Sequence, residues 1–123
     1  MLSSCALKVD QEEAKKVAES LLTDLKEGRY DDINNYYSDL SNESQPLDQK
    51  ILRFKQLQEV TGSIKSFEFM DAKEEYDSDK GLNQLTLHYK VYCEKVTLKQ
   101  TFLFINDEGN SKIIFQNIEN LKE

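Results

Sequence analysis

The sequence predicts an α+β fold: N-terminal helices packed on one face of a curved, cone-like antiparallel sheet of four strands, helices first and strands second. Three observations carry that expectation. From Leu82 to Ile118 the chain reads as a three-strand meander, roughly 82–93, 96–105 and 112–118. In its first strand Leu85, Leu87, Tyr89, Val91 and Cys93 alternate with Thr86, His88, Lys90 and Tyr92, which separates an inward set from an outward one. Upstream, Ala14, Val17, Ala18, Leu21, Leu22 and Leu25 recur at helical spacing, a stripe suited to covering a greasy sheet face.

Each element follows in order. Asp10 with Glu13 forms a capping-box pattern at the start of the first helix. Gly28 is placed to end that helix in the left-handed conformation. A shorter helix starts at Asp31 or Asp32 and carries Ile33, Tyr36, Tyr37 and Leu40 on one face, and 41–45 is a polar loop. Pro46 suits the first residue of a third helix, with Leu47, Ile51, Phe54, Leu57 and Val60 inward and Gly62 closing it. Residues 63–73 alternate with imperfect phase as the first strand, and 74–80 is an acidic turn. With Glu94-Lys95 as a two-residue turn, Cys93 pairs with Val96, Val91 with Leu98, Leu87 with Phe102 and Leu85 with Phe104. Tyr89 opposite Gln100 is then the one mixed pair on an apolar face. Asp107-Glu108-Gly109-Asn110 makes the last turn.

With 123 residues the chain is expected to form one domain, 10–121, behind an N-terminal tail, 1–9. A chain of this size buries roughly 65% of its unfolded surface, enough for a core without metal or disulfide staples. The net charge of −7 repels nucleic acid and anionic head groups, and no basic stripe interrupts it. A basic partner protein is compatible with that charge. The longest purely apolar runs are three residues, so no segment reads as a membrane span. The two cysteines, Cys5 and Cys93, have no metal-ligand spacing; Cys93 reads as a small buried hydrophobe. The acidic turn 77–81 lacks the later glutamate of a calcium loop, since His88 holds the twelfth position. The sequence therefore calls for no metal and no cofactor.

Leu2-Ser3-Ser4-Cys5 resembles the lipobox of bacterial lipoproteins, in which a peptidase cuts before a cysteine that then carries lipid. If the match is functional, Cys5 is a lipidation site and acyl chains tether the domain in the cell envelope, its only route to a membrane. If it is fortuitous, the expected address is cytoplasmic. The element order in this length resembles the nuclear transport factor two-like, or cystatin-like, superfamily, and more narrowly its small bacterial cell-envelope proteins. The features that carry the resemblance are the break at 27–32, the glycine-marked exit from the third helix at 60–67 and the closing strand 112–118. Its members include binding domains, secretion-machine parts, toxin-neutralising proteins and enzymes, so the resemblance implies architecture more than activity.

Two sets of residues are singled out. His88, Lys90, Tyr92 and Lys99 share the predicted solvent face, a locally basic, aromatic-tipped surface on an acidic protein, and form a candidate binding face. The resemblance implies a competing use of that face, a homodimer. Superfamily members that isomerise steroids use an Asp and a Tyr in an apolar cavity, which nominates Tyr36, Asp71 and Tyr89 as a candidate pocket. No catalytic residue is assigned, because no motif fixes a nucleophile, base and acid together. The favoured function is a non-enzymatic envelope domain that binds a partner protein or small ligand through its sheet face or pocket. The alternatives are an acidic immunity or inhibitor-type protein, and a pocket enzyme of isomerase or hydrolase type.

Overall fold

The structure, a computed structural model, describes residues 8–121. Three helices, α1 (Gln11–Lys26), α2 (Asp39–Ser44) and α3 (Leu47–Thr61), precede four strands, β1 (Ile64–Asp77), β2 (Leu82–Cys93), β3 (Thr97–Asp107) and β4 (Asn110–Asn120). The strands form one antiparallel sheet in the order β1-β2-β3-β4, so every pairing joins sequence neighbours. The expected α+β class, with helices first, is the one observed. Cys5 lies outside the described residues, and with it the lipobox.

Burial in α1 repeats its apolar stripe: Ala14, Ala18, Leu21, Leu22 and Leu25 are all buried. Asp10 caps the helix through Oδ1, which accepts from the backbone N–H groups of Glu12 at 3.0 Å and Glu13 at 3.2 Å. The reciprocal half of the capping box is absent. The Glu13 carboxylate instead accepts from the backbone N–H of Ser111, at 2.8 Å, and from its Oγ–H, tying α1 to β4. Tertiary contact has overridden a local motif.

The stripe closes over the inner face of β2 and β3, whose register is the expected one: Leu85 faces Phe104, Leu87 faces Phe102, Tyr89 faces Gln100 and Val91 faces Leu98. All eight side chains are buried, and Ile113 of β4 joins them. Each large apolar side chain buried here contributes about 1.5–3 kcal/mol. Tyr89 packs edge-on against Phe67, Phe69 and Phe102 with ring centroids 5.6–6.2 Å apart, so aromatic rings fill the middle of the core.

Three local expectations are corrected. The second helix is split: a 3-10 turn at Ile33–Tyr36, an extended Tyr37, then α2 capped by Ser38 Oγ. The split follows from Tyr37, which leaves helical geometry at ψ 155° to bridge Ile113, while the Ser38 N–H donates to the Ile113 carbonyl at 2.9 Å. Leu40 is consequently 74% exposed rather than inward. In α3 the inward stripe is Leu47, Lys50, Phe54, Leu57 and Thr61, and Val60 is 72% exposed. Successive steps of three residues rotate a side chain off the inner face, and two polar members, Lys50 and Thr61, hold the true phase. Finally, β1 runs to Asp77, past the expected end at Lys73. Its imperfect alternation comes from register irregularities at Ile64/Ser66 and Phe69/Asp71, which turn Phe67, Phe69 and Ala72 inward and Asp71 outward.

Candidate functional site

Three places hold chemistry, and the inner face of the sheet supplies the first. α3 is held to the core less firmly than α1: Leu47, Phe54 and Leu57 are only partly buried, and its buried side chains are polar. Between α3 and the β2–β3 hairpin lies a cavity of about 30 Å³, room for about one water molecule. Leu25, Phe54, Leu57, Ile64 and Leu98 give it apolar walls. Gln58, Thr61, Cys93 and Gln100 bring polar atoms to it. Burial pushes the Cys93 thiol up, with Glu94 in the same direction and a hydrogen bond from Thr61 against it.

Gln100 is only 1% exposed. Its Oε1 accepts from Gln116 Nε2 at 2.9 Å, and Gln116 Oε1 in turn accepts from the Tyr37 hydroxyl. Among the described residues no acceptor meets Gln100 Nε2, so a buried amide donor is left unpaired on a residue that lines the cavity. Burial holds the Tyr37 hydroxyl well above the ordinary tyrosine range. Beside this chain sits Lys50, 3% exposed, with Nζ donating to Asn34 Oδ1 at 2.7 Å and Asn42 Oδ1 at 2.6 Å, 4.2 Å above the Tyr37 ring. Its partners are all neutral, and burial lowers its pKa to about 8. Lys50 thereby pins α3 to the 3-10 turn and α2.

The second place is the flank of α1. Tyr89 donates its hydroxyl to Glu19 Oε2 at 2.7 Å, and Tyr36 donates to Asp24 Oδ2 at 2.6 Å. Burial first, and the Asp24 carboxylate second, push Tyr36 up to about 12; burial and Glu19 raise Tyr89 further. Both hydroxyls are therefore protonated at neutral pH and spent on carboxylates. Tyr36, Glu19 and Asp24 line an open trough with Lys16, Arg29 and Phe67.

The third place is the outer face. The candidate pocket is not assembled: Asp71 lies here, its side chain 64% exposed, with the sheet between it and Tyr89. The reason is the irregularity after Phe69, which turns Asp71 outward opposite His88. His88 Nε2 is 3.8 Å from Asp71 Oδ1, and its Nδ1 is 2.9 Å from Thr101 Oγ1. His88, Lys90, Tyr92 and Lys99 do share this one face, in adjacent cross-strand rows. Lys90 is directly opposite Lys99, and Tyr92 donates its hydroxyl to Glu68 Oε1 at 3.0 Å. The sequence reading missed Lys50 as an inner residue. Its signal was position: three residues after Leu47 and four before Phe54, inside the stripe.

No protein-family model and no curated protein matches the sequence. Solved structures do match its fold. A DUF4783 family protein from Bacteroides uniformis superposes with TM-score 0.60 at 12% identity, over 85% of this chain and 97% of that one. An NTF2-like family protein from Streptomyces avermitilis, proposed to be a dehydratase, superposes with TM-score 0.57 at 10% identity, over 91% and 96%. At such identities the likeness is one of fold. The chain has the NTF2-like α+β arrangement, helices followed by an open antiparallel sheet.

Proposed function

We propose that this NTF2-like domain is a non-enzymatic binding domain whose cleft beneath α3 takes a small, largely apolar ligand carrying one hydrogen-bond acceptor. The observation that carries the reading is Gln100 Nε2, a buried donor with no acceptor among the described residues, on a residue lining a cavity of mixed apolar and polar walls. A buried donor left unpaired costs about 1–3 kcal/mol, which a ligand acceptor recovers on binding. The cavity as it stands holds about one water, so a ligand enters only as α3 lifts. The motion falls to the middle of the helix, where Phe54 and Leu57 are half-buried, because Lys50 and the bonds at the Gly62 junction hold its two ends.

Binding rather than catalysis is supported by the separation of the nominated groups. Asp71 stands across the sheet from Tyr89, and the Tyr36 and Tyr89 hydroxyls are committed to Asp24 and Glu19. In this reading the domain works in the bacterial cell envelope, tethered through acyl chains on Cys5, which rests on the Leu2–Cys5 match.

The test of the cleft is a titration of isotope-labelled domain with alkyl methyl ketones and alkanes of matched length, followed by NMR. Ketones are expected to shift the Gln100 side-chain amide and the Leu57 and Leu98 methyls, and Gln100→Leu is expected to remove the preference for ketone over alkane. Shifts confined to the trough beside Tyr36, or no ketone preference in the wild type, would overturn the reading. For the anchor, the gene expressed with its upstream region is expected to incorporate labelled fatty acid, and Cys5→Ser to abolish incorporation. Unlabelled wild-type protein would count against it.

A further inference from the structure

The outer face of the sheet carries an arrangement that the cleft does not use. One cross-strand row reads Glu68, Lys90, Lys99, Glu119 across β1 to β4. The central pair sets two lysines directly opposite each other in the register, and like charges so placed destabilise a sheet. The flanking acids sit one strand away on either side, but neither makes a direct ion pair with the lysines. Glu68 accepts from the Tyr92 hydroxyl at 3.0 Å, and Glu119 accepts from Asn117 Nδ2 at 3.1 Å. Among the described residues neither Lys90 nor Lys99 has a carboxylate oxygen within 4.0 Å.

Two rows further along, Leu103 faces Phe115, and Phe115 is 57% exposed. Lys99 and Leu103 are four residues apart on β3, which in an extended strand is about 13 Å. Between them His88 and Thr101 bond each other at 2.9 Å. Lys90 Nζ lies 5.9 Å from the centroid of the Tyr92 ring, so the pair has an aromatic neighbour but no carboxylate in contact, and the Phe115 ring stands exposed. The helices all lie on the opposite side of the sheet, because their partners are the inward residues.

We propose that this face docks a protein segment bearing a carboxylate about four extended residues from an apolar side chain. Lys90 and Lys99 take the carboxylate, and Leu103 with Phe115 takes the apolar group. A carboxylate bridging two ammonium groups relieves their repulsion, and an apolar contact covers the exposed ring. The chain's net charge of −7 selects a local acid over a polyanion: a nucleic acid or an anionic lipid surface meets net repulsion from the rest of the chain. The site is on the far side of the sheet from the α3 cleft, so either can fail without the other.

The experiment titrates isotope-labelled domain with a synthetic peptide that places a glutamate four residues from a phenylalanine, and with the same peptide carrying lysine for glutamate. The acidic peptide is expected to shift the amides of Lys90, Lys99, Leu103 and Phe115. Its dissociation constant is expected to rise at least about tenfold in the Lys90→Glu, Lys99→Glu double variant, and the lysine peptide to bind that variant instead. Binding is also expected to weaken as salt rises from about 0.1 M to about 1 M, where the screening length falls from about 10 Å to 3 Å. Unchanged thermal midpoints in the double variant keep loss of binding separate from loss of fold. Three results would each overturn the proposal: no binding of the acidic peptide, equal binding of the two peptides by the wild type, or inorganic phosphate producing the same shifts at similar concentration. A fourth is a wild-type dimer that dissociates in the double variant, since the face would then be covered by a second copy.

Discussion

Replacing Gly62 by alanine is expected to be among the most damaging small changes available in this domain. Gly62 sits at φ 81°, ψ 177°, a region essentially reserved for glycine, and an alanine held there carries about 1–3 kcal/mol of backbone strain. A second cost is steric. A Cβ at Gly62 would stand 2.7 Å from the Cβ of Glu94 and 3.4 Å from its Cα, a clash with backbone behind it. Overpacking of that kind costs about 1–3 kcal/mol. The approach cannot simply open, because the β2–β3 turn is stapled to this junction. Glu94 N–H donates to the Ser63 carbonyl at 3.0 Å, Lys95 N–H to the Thr61 carbonyl at 2.9 Å, and Ser63 N–H to Glu94 Oε1 at 2.9 Å. The expected loss is about 3 kcal/mol or more, against a total stability of about 5–15 kcal/mol for a domain of ordinary stability. Gly28 is the control. It lies at φ 73°, but an added Cβ meets nothing within 4 Å, so Gly28→Ala is expected to cost about 1 kcal/mol. Urea unfolding at one temperature measures both, and a Glu94→Gly background separates strain from clash by removing the opposing Cβ. Equal losses at Gly28 and Gly62, or a Gly62→Ala loss that Glu94→Gly leaves unchanged, would refute the reasoning.

Other outcomes follow from the same structure. Lys50 has its pKa lowered to about 8 by burial, so between pH 8 and its ordinary value of 10.5 the unfolded chain binds more protons than the folded one. Its contribution therefore makes stability rise with pH across that window, and the difference between wild type and Lys50→Met in urea midpoints is expected to show that slope. Tyr36, with its pKa raised to about 12, acts oppositely above pH 10: the stability it contributes is fully present below the unfolded value and is lost as pH climbs toward 12. Tyr36→Phe is expected to flatten that part of an alkaline unfolding curve. Phe102→Ala, at a fully buried position, is expected to cost about 3–5 kcal/mol. Phe115→Ala, on the outer face, is expected to stay within about 0.5 kcal/mol in the isolated domain. Cys93, buried and with its pKa raised, is expected to react slowly with a thiol reagent until urea unfolds the chain; rapid labelling of native protein would contradict its packing.

Much of the architecture was legible because it rests on period-two and period-3.6 burial. Leu85, Leu87, Val91, Leu98, Phe102 and Phe104 fix a register in which a slip of one residue would turn every one of them to water. The errors came where a polar residue is buried or an apolar one exposed. Lys50 and Thr61 hold the inner phase of α3 in place of Val60, and an apolar-only reading cannot see them. The helix broken at Tyr37 depends on a bridge to Ile113, seventy-six positions away, which local pattern does not encode. The two candidate sites differed for a similar reason. The face holding His88, Lys90, Tyr92 and Lys99 needs only alternation to be assembled. The grouping of Asp71 with Tyr89 fails on one irregularity in β1, whose only trace in the sequence was an uneven alternation. The buried donor of Gln100 was foreshadowed as the mixed partner of Tyr89, but its unmet hydrogen became visible only with the side chains around it.

The strand order has a consequence for the route by which the chain folds. Each hairpin of the meander closes a short loop, so the sheet can zip from neighbour to neighbour at small entropic cost. Helix α1 has no such convenience: Glu13 finds Ser111 only across ninety-eight positions, in the strand made last. The docking of α1 is therefore completed only when the last strand is in place. The interval before that closure is when self-association competes most strongly with folding, and variants that weaken β4 would lengthen it.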